Sequence, residues 1–208
     1  MNKGLRSTVL ALVVAASAAP LLQGCFPAVA TGVGAGAMMA ADRRTSGAYV
    51  EDEGIEWKAA AKIKEKLGDL VHVNVTSYNR NVLLTGEAPN ETVKDQLPGI
   101  VAAVPNIRGI TSDVQVAGHS SLTSRSNDAL ITSKVKARMI DSDAVQAHLI
   151  KVVTEASTVY LMGLVTRAEA DAATQVARTT SGVKKVVRVF EYVSPEEAKR
   201  LDLLRRDQ

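Results

Sequence analysis

The sequence predicts an α+β protein made of two tandem copies of a small unit, each ordered helix, strand, strand, helix, strand. Three observations carry this. First, Val82-Leu83-Leu84-Thr85-Gly86 returns as Val159-Tyr160-Leu161-Met162-Gly163, and the flanking segments match in kind at nearly the same offset. Second, alternating segments precede each copy, Val73-Asn74-Val75-Thr76 and Ile150-Lys151-Val152-Val153-Thr154, with helical spacing before and after them. Third, the chain is 46% hydrophobic but 3% aromatic, so its cores must be built from Val, Ile, Leu and Ala. Such cores suit short strands packed on short helices.

Residues 1–24 read as a removable targeting signal. Lys3 and Arg6 give a positive start, and an apolar run extends from Thr8 to Leu22. That run is short of the roughly 20 apolar residues a spanning helix needs. Leu22-Gln23-Gly24-Cys25 resembles the bacterial lipobox, with Gln23 where a small residue is more usual. The resemblance implies an S-diacylglyceryl group on Cys25, cleavage before it, and N-acylation of the new terminus. Phe26, rather than Asp, implies sorting to the outer membrane by the same resemblance. Cys25 is the only cysteine, which excludes an internal disulfide or a Cys-based metal site. Losing Lys3 and Arg6 lowers the net charge from +3 to +1, so any attraction to anionic surfaces must be local, and nucleic acid is not an expected partner. Residues 25–50 are expected to form a lipidated flexible tether, given Gly32, Gly34 and Gly36. The Ala, Val and Met of this stretch leave open that it lies against the bilayer.

The first unit is assigned to residues 51–117. Its opening helix is expected over Glu56 to Leu67, with Ala60, Ile63 and Leu67 toward the sheet. Lys58, Lys62, Lys64, Glu65 and Lys66 then form a solvated face, and Trp57 lies near the start. Tight turns are expected at Tyr78-Asn79-Arg80-Asn81 and Glu155-Ala156-Ser157-Thr158, since asparagine tolerates positive φ. Gly86 and Gly163 are expected to end the second strand of each unit, where a side chain would obstruct the bend into the next helix. Pro105-Asn106-Ile107 and Gly182-Val183 lead into closing strands, Ile110 to Val116 and Val186 to Val193. A polar linker, 118–127, joins the second unit, 128–193. Residues 194–208 are expected as an exposed helical extension opening at Pro195.

The pattern V-x-L-x-G after a short hairpin, then an alanine-bearing helix, then G-V-x-x-V, resembles the BON domain (bacterial OsmY and nodulation). Phe190 strengthens the match. Two such repeats behind a lipobox are similar to the dual-BON outer-membrane lipoproteins. The resemblance implies three-stranded mixed sheets, each packed on two helices. It also implies attachment to the outer membrane facing the periplasm, and binding of anionic phospholipids such as phosphatidylglycerol. Support of envelope integrity is implied too and, in some bacteria, a place at the division site.

The candidate lipid surface is a helix expected over Asp128 to Asp141, capped by Asn127 or Asp128. At 100° per residue, Ile131, Val135 and Met139 share the face expected to cover the sheet. Leu130, Ser133, Lys134, Ala137 and Ile140 cluster opposite, flanked by Lys136 and Arg138. An apolar stripe edged by cations suits an interfacial helix. It equally suits a helix wedged between the two units, with Leu130 and Ile140 in that interface. Leu130 stands where related proteins can carry tryptophan. Residues 128–193 hold nine basic against seven acidic residues, residues 56–116 seven of each, and Lys184, Lys185 and Arg188 could extend a cationic rim.

His72, His119 and His148 fit no metal spacing, and Ser120, Ser121 and Ser124 have no His/Asp constellation beside them. No cofactor and no enzymatic activity are expected. Beside the lipid reading stands a second one, a periplasmic interaction scaffold for outer-membrane assembly or cell-wall remodelling, with lipid serving only as tether.

Overall fold

Each unit folds because its first helix and its crossover helix bury one apolar face on a three-stranded sheet. The computed structural model describes residues 42–206. In the first unit these elements are α1 (Ser46–Leu67), β1 (His72–Tyr78), β2 (Asn81–Ala88), α2 (Glu91–Ala102) and β3 (Gly109–Val116). In the second they are α3 (Leu122–Ile140), β4 (Lys151–Glu155), β5 (Thr158–Val165), α4 (Arg167–Arg178) and β6 (Lys185–Tyr192). The last helix, α5 (Pro195–Arg206), follows.

The sheets run β1-β2-β3 and β4-β5-β6. In each, the hairpin pair is antiparallel and the pair joined across the helix is parallel, as a helical crossover requires. The expected mixed sheets and αββαβ order are therefore present twice. Both hairpins turn on left-handed residues, Asn79 and Arg80 in one, Ala156 and Ser157 in the other.

Ile55, Ala59 and Ile63 of α1 pack with Val82, Leu84 and Val114, while Ile131, Val135 and Met139 of α3 pack with Val159, Leu161 and Val165. A third cluster joins the opposite faces of the sheets: Tyr78 and Leu83 against Tyr160, Met162 and Leu164. The central strands are thus buried on both sides, and the two units stack back to back as helices, sheet, sheet, helices. Both halves fall in one structural unit. Polar ties cross the seam from Asn74 to Glu155 (2.7 Å), Tyr160 to Asp113 (3.0 Å) and Lys151 to Glu56 (2.8 Å).

Several expectations change. α1 begins at Ser46 rather than Glu56, capped by Thr45, so the tether expected to reach residue 50 has given way to buried chain by Asp42. Ala59, not Ala60, belongs to its buried face, because starting the helix earlier does not alter the phase set by Ile55 and Ile63. α3 begins at Leu122, where the Ser121 hydroxyl accepts from the Ser124 N–H, so most of the expected linker is helix. Asp128 therefore caps nothing on its own helix. Its carboxylate accepts the N–H groups of Ala156 and Ser157 at 3.0 and 2.8 Å and closes the β4–β5 turn. Asp52, its counterpart on α1, does the same for Asn79 and Arg80.

Gly86 and Gly163 do not end their strands, which run two residues further. They are needed because the neighbouring backbone comes too close. A Cβ on Gly86 would overlap the carbonyl oxygen of His72, and one on Gly163 would stand 2.6 Å from that of Leu149. The C-terminal extension is docked rather than free: Ala198 is buried and Leu201 packs on the inter-sheet cluster.

Candidate functional site

The outer surface of α3 is the candidate site. Its inner residues are spent on the core, and the sheet of its own unit separates it from the other unit. The wedge reading therefore fails: Leu130 is 52% and Ile140 71% exposed. Ser133, Lys134, Lys136 and Ala137 are exposed beside them. The earlier start of α3 adds Leu122, 80% exposed, so the stripe is longer than the sequence pattern suggests. The Ser133 hydroxyl donates to its own helix at the Ala129 carbonyl, which leaves the stripe without an outward donor at that point.

Among the described residues, neither Lys134 nor Lys136 has an ion-pair partner, so their charge faces solvent. Arg138 differs. Its guanidinium donates to the Val176 carbonyl and to the Thr179 and Thr180 hydroxyls at the end of α4, at 3.0 to 3.3 Å. It serves as a C-terminal cap there, which its place beside the stripe does not reveal. The expected rim also narrows: Arg188 pairs with Asp171 at 2.7 Å and Lys185 with Asp113 at 3.5 Å, leaving Lys184. Cys25 lies outside the described residues, as do the signal segment and most of the tether.

A second constellation escapes the sequence pattern. Asp42, Arg43 and Arg44 are buried where the two units and α5 meet. Arg43 donates to both oxygens of Glu169 (2.8 Å each), to both oxygens of Asp202 (2.7 and 3.0 Å) and to the Leu164 carbonyl (3.1 Å). Burial alone would favour its neutral form, but these bonds outweigh it and hold the charge well above the ordinary arginine range. Arg44 binds Asp42 and Asp52 and lies 3.9 Å over the Tyr78 ring. Burial, reinforced by the Asp42 charge, pushes the Tyr78 hydroxyl above its usual range. The available signal is the Asp-Arg-Arg run standing ahead of a helix that reads as starting later.

Among the described residues, no three His, Cys, Asp or Glu side chains converge as metal ligands, and no helix is long and apolar enough to cross a membrane. The His72 imidazole is held below its ordinary range by burial and by the Arg125 charge.

Comparison with known proteins fits this architecture. The BON domain family profile matches residues 58–118 and 127–194, one match per unit. The chain is 35% identical to "Outer membrane lipoprotein DolP" of Haemophilus influenzae over 88% of this chain and 95% of that one. It is 32% identical to "21 kDa hemolysin" of Actinobacillus pleuropneumoniae, over 73% of this chain and 79% of that one. Identity to "Osmotically-inducible protein Y" of Escherichia coli is 26%, over 67% and 72%. Each matched stretch covers one stacked αββαβ unit from within its first helix onward, and the chain belongs to the BON domain family.

Proposed function

We propose that this chain is an outer-membrane lipoprotein, held by lipid on Cys25 and facing the periplasm, whose second BON domain binds anionic phospholipid through α3 and so helps maintain the envelope. The observation that carries the lipid part is the stripe of Leu122, Leu130, Ala137 and Ile140 left in water with Lys134 and Lys136 beside it. Exposed large aliphatic residues in one row are costly to keep wet, and each gains roughly 1.5–3 kcal/mol on full burial. Head groups then meet the lysines at about 1 kcal/mol per cation near an anionic surface. Likeness to DolP supports the anchoring and the envelope role. The lipobox-like Leu22-Gln23-Gly24-Cys25 supports the attachment point. By family resemblance, the division site is where this activity is to be sought.

Residues 26–208, made without lipid, are expected to co-sediment with phosphatidylglycerol vesicles and much less with phosphatidylethanolamine vesicles. Added salt should weaken but not abolish the binding, because screening removes only the charge attraction. Equal binding to both lipids, or none, would reject the lipid part. Mass spectrometry of the membrane-extracted chain tests the anchor: the expected N-terminus is Cys25 carrying diacylglyceryl and acyl groups.

A further inference from the structure

We infer that the outer face of α1 is a self-association surface, on which a second copy of this chain packs its own α1 antiparallel. Ile55, Ala59, Ile63 and Leu67 fill the core of the first unit. The opposite face presents Gly47, Val50, Gly54, Trp57 and Ala61, with alternate steps of three and four along the chain, which is the repeat of a helix–helix seam. Val50 is 68% and Trp57 75% exposed. The one tryptophan of the chain is therefore left in water on a face that none of the described residues covers.

The glycines do not serve the single copy. A Cβ on Gly54 would meet only the Lys58 ammonium, at 3.9 Å, and one on Gly47 only the Thr45 hydroxyl, also at 3.9 Å. Glycine inside a helix weakens it relative to alanine, so both cost stability without relieving any internal clash. They do make the face complementary to itself. In an antiparallel pair, Trp57 falls on the partner's Gly54 and Val50 on the partner's Ala61, so each large side chain meets a small one. A parallel pair would set Trp57 on Trp57 and glycine on glycine. The antiparallel register also brings Glu51 beside the partner's Lys58, twice by symmetry.

An anionic bilayer is the poorer occupant. Along this face Glu51, Glu53 and Glu65 offset the charge of Lys58 and Lys64, and Lys64 is already paired with Asp69. The stacking also puts α1 and α3 on opposite outer layers, so a flat membrane that meets α3 leaves α1 facing away. One helix pair is smaller than a standard stable interface, so association should depend on protein concentration. The inference stands whether or not α3 binds lipid.

The test uses the full chain carried in its native membranes and, in parallel, purified in detergent. Gly54→Cys is expected to cross-link to itself, being near the two-fold axis, and Gly47→Cys is not. A mixture of Val50→Cys and Ala61→Cys chains should cross-link where neither does alone. The unaltered chain is the control for Cys25. In detergent, Trp57 emission should shift to the blue as protein concentration rises. Gly54→Leu, which favours the helix, should weaken dimerisation at least tenfold with circular dichroism unchanged. A monomer at every concentration would overturn the proposal. So would self-cross-linking of Gly47→Cys, cross-links only to another protein, or a blue shift that follows added vesicles and not protein concentration.

Discussion

Arg43 and Glu169, far apart in the chain, meet in a two-pronged ion pair, 2.8 Å at each prong. Asp202 of α5 closes on the same guanidinium. Adjacent Arg44 reaches Asp52 of the first unit. The segment just ahead of α1 thereby ties both BON domains and the last helix together. Removing Arg43 leaves two carboxylates facing each other without their cation. Arg43→Ala is expected to lower stability by about 3–5 kcal/mol, read as a fall in the urea midpoint. Arg43→Lys should restore only part of the loss, because an ammonium cannot hold both carboxylates in two-pronged geometry.

Buried Glu155 and half-buried Glu169 should respond to acid in opposite senses. Burial would raise Glu169, but its hydrogen bonds from Arg43 and from the Thr166 backbone outweigh this and hold it below the ordinary carboxylate range. Its contribution is present above the unfolded value and lost as pH falls through the lowered folded one. Glu155 is raised, chiefly by burial, against the Asn74 hydrogen bond, and further by the charge of Glu87. Its charged form therefore opposes folding at neutral pH, and the stability it contributes below the unfolded value is lost as pH rises through the raised one. Glu155→Gln keeps an acceptor for Asn74 and is expected to raise the denaturation midpoint at neutral pH, while Glu169→Gln lowers it. Both effects should fade in midpoints measured below the carboxylate range.

Glycines divide by what a Cβ would meet. Gly86→Ala forces a methyl onto the His72 carbonyl at a left-handed φ of 115°, and is expected to cost at least about 3 kcal/mol or prevent folding. Gly99, in α2, has open space and an ordinary helical backbone. Gly99→Ala should stabilise by roughly 0.5–1 kcal/mol in thermal melts.

Asp128 holds two turn N–H groups that nothing else replaces. Asp128→Ala is expected to cost about 2–3 kcal/mol in chemical denaturation, and Ser121→Ala, which removes only the cap of α3, about 1 kcal/mol.

The internal repeat, the two hairpin turns and the inner face of α3 are legible in the sequence because they rest on local periodicity and turn chemistry. The back-to-back stacking is harder to read, although Val82-Leu83-Leu84 and Val159-Tyr160-Leu161-Met162 are unbroken apolar runs of the kind that buries both faces of a strand. The starts of α1 and α3 are hidden because their first turns, Ser46 to Ala48 and Leu122 to Arg125, bury no apolar residue in the core. Asp52 and Asp128 occupy equivalent places in the two repeats, and that match identifies them as turn-closing residues. Nearness to the expected start of α3 makes Asp128 resemble a helix cap instead. Arg138 reads as a surface cation because its partners lie on α4, beyond any local pattern.

Leu130→Glu separates lipid contact from folding, because the side chain is half in water and lies outside the buried core. With residues 26–208 and phosphatidylglycerol vesicles at physiological salt, the bound fraction should fall at least tenfold while the thermal midpoint moves by less than about 1–2 °C. Undiminished vesicle binding by that variant, with its fold intact, would contradict the claim that the outer stripe of α3 meets the lipid.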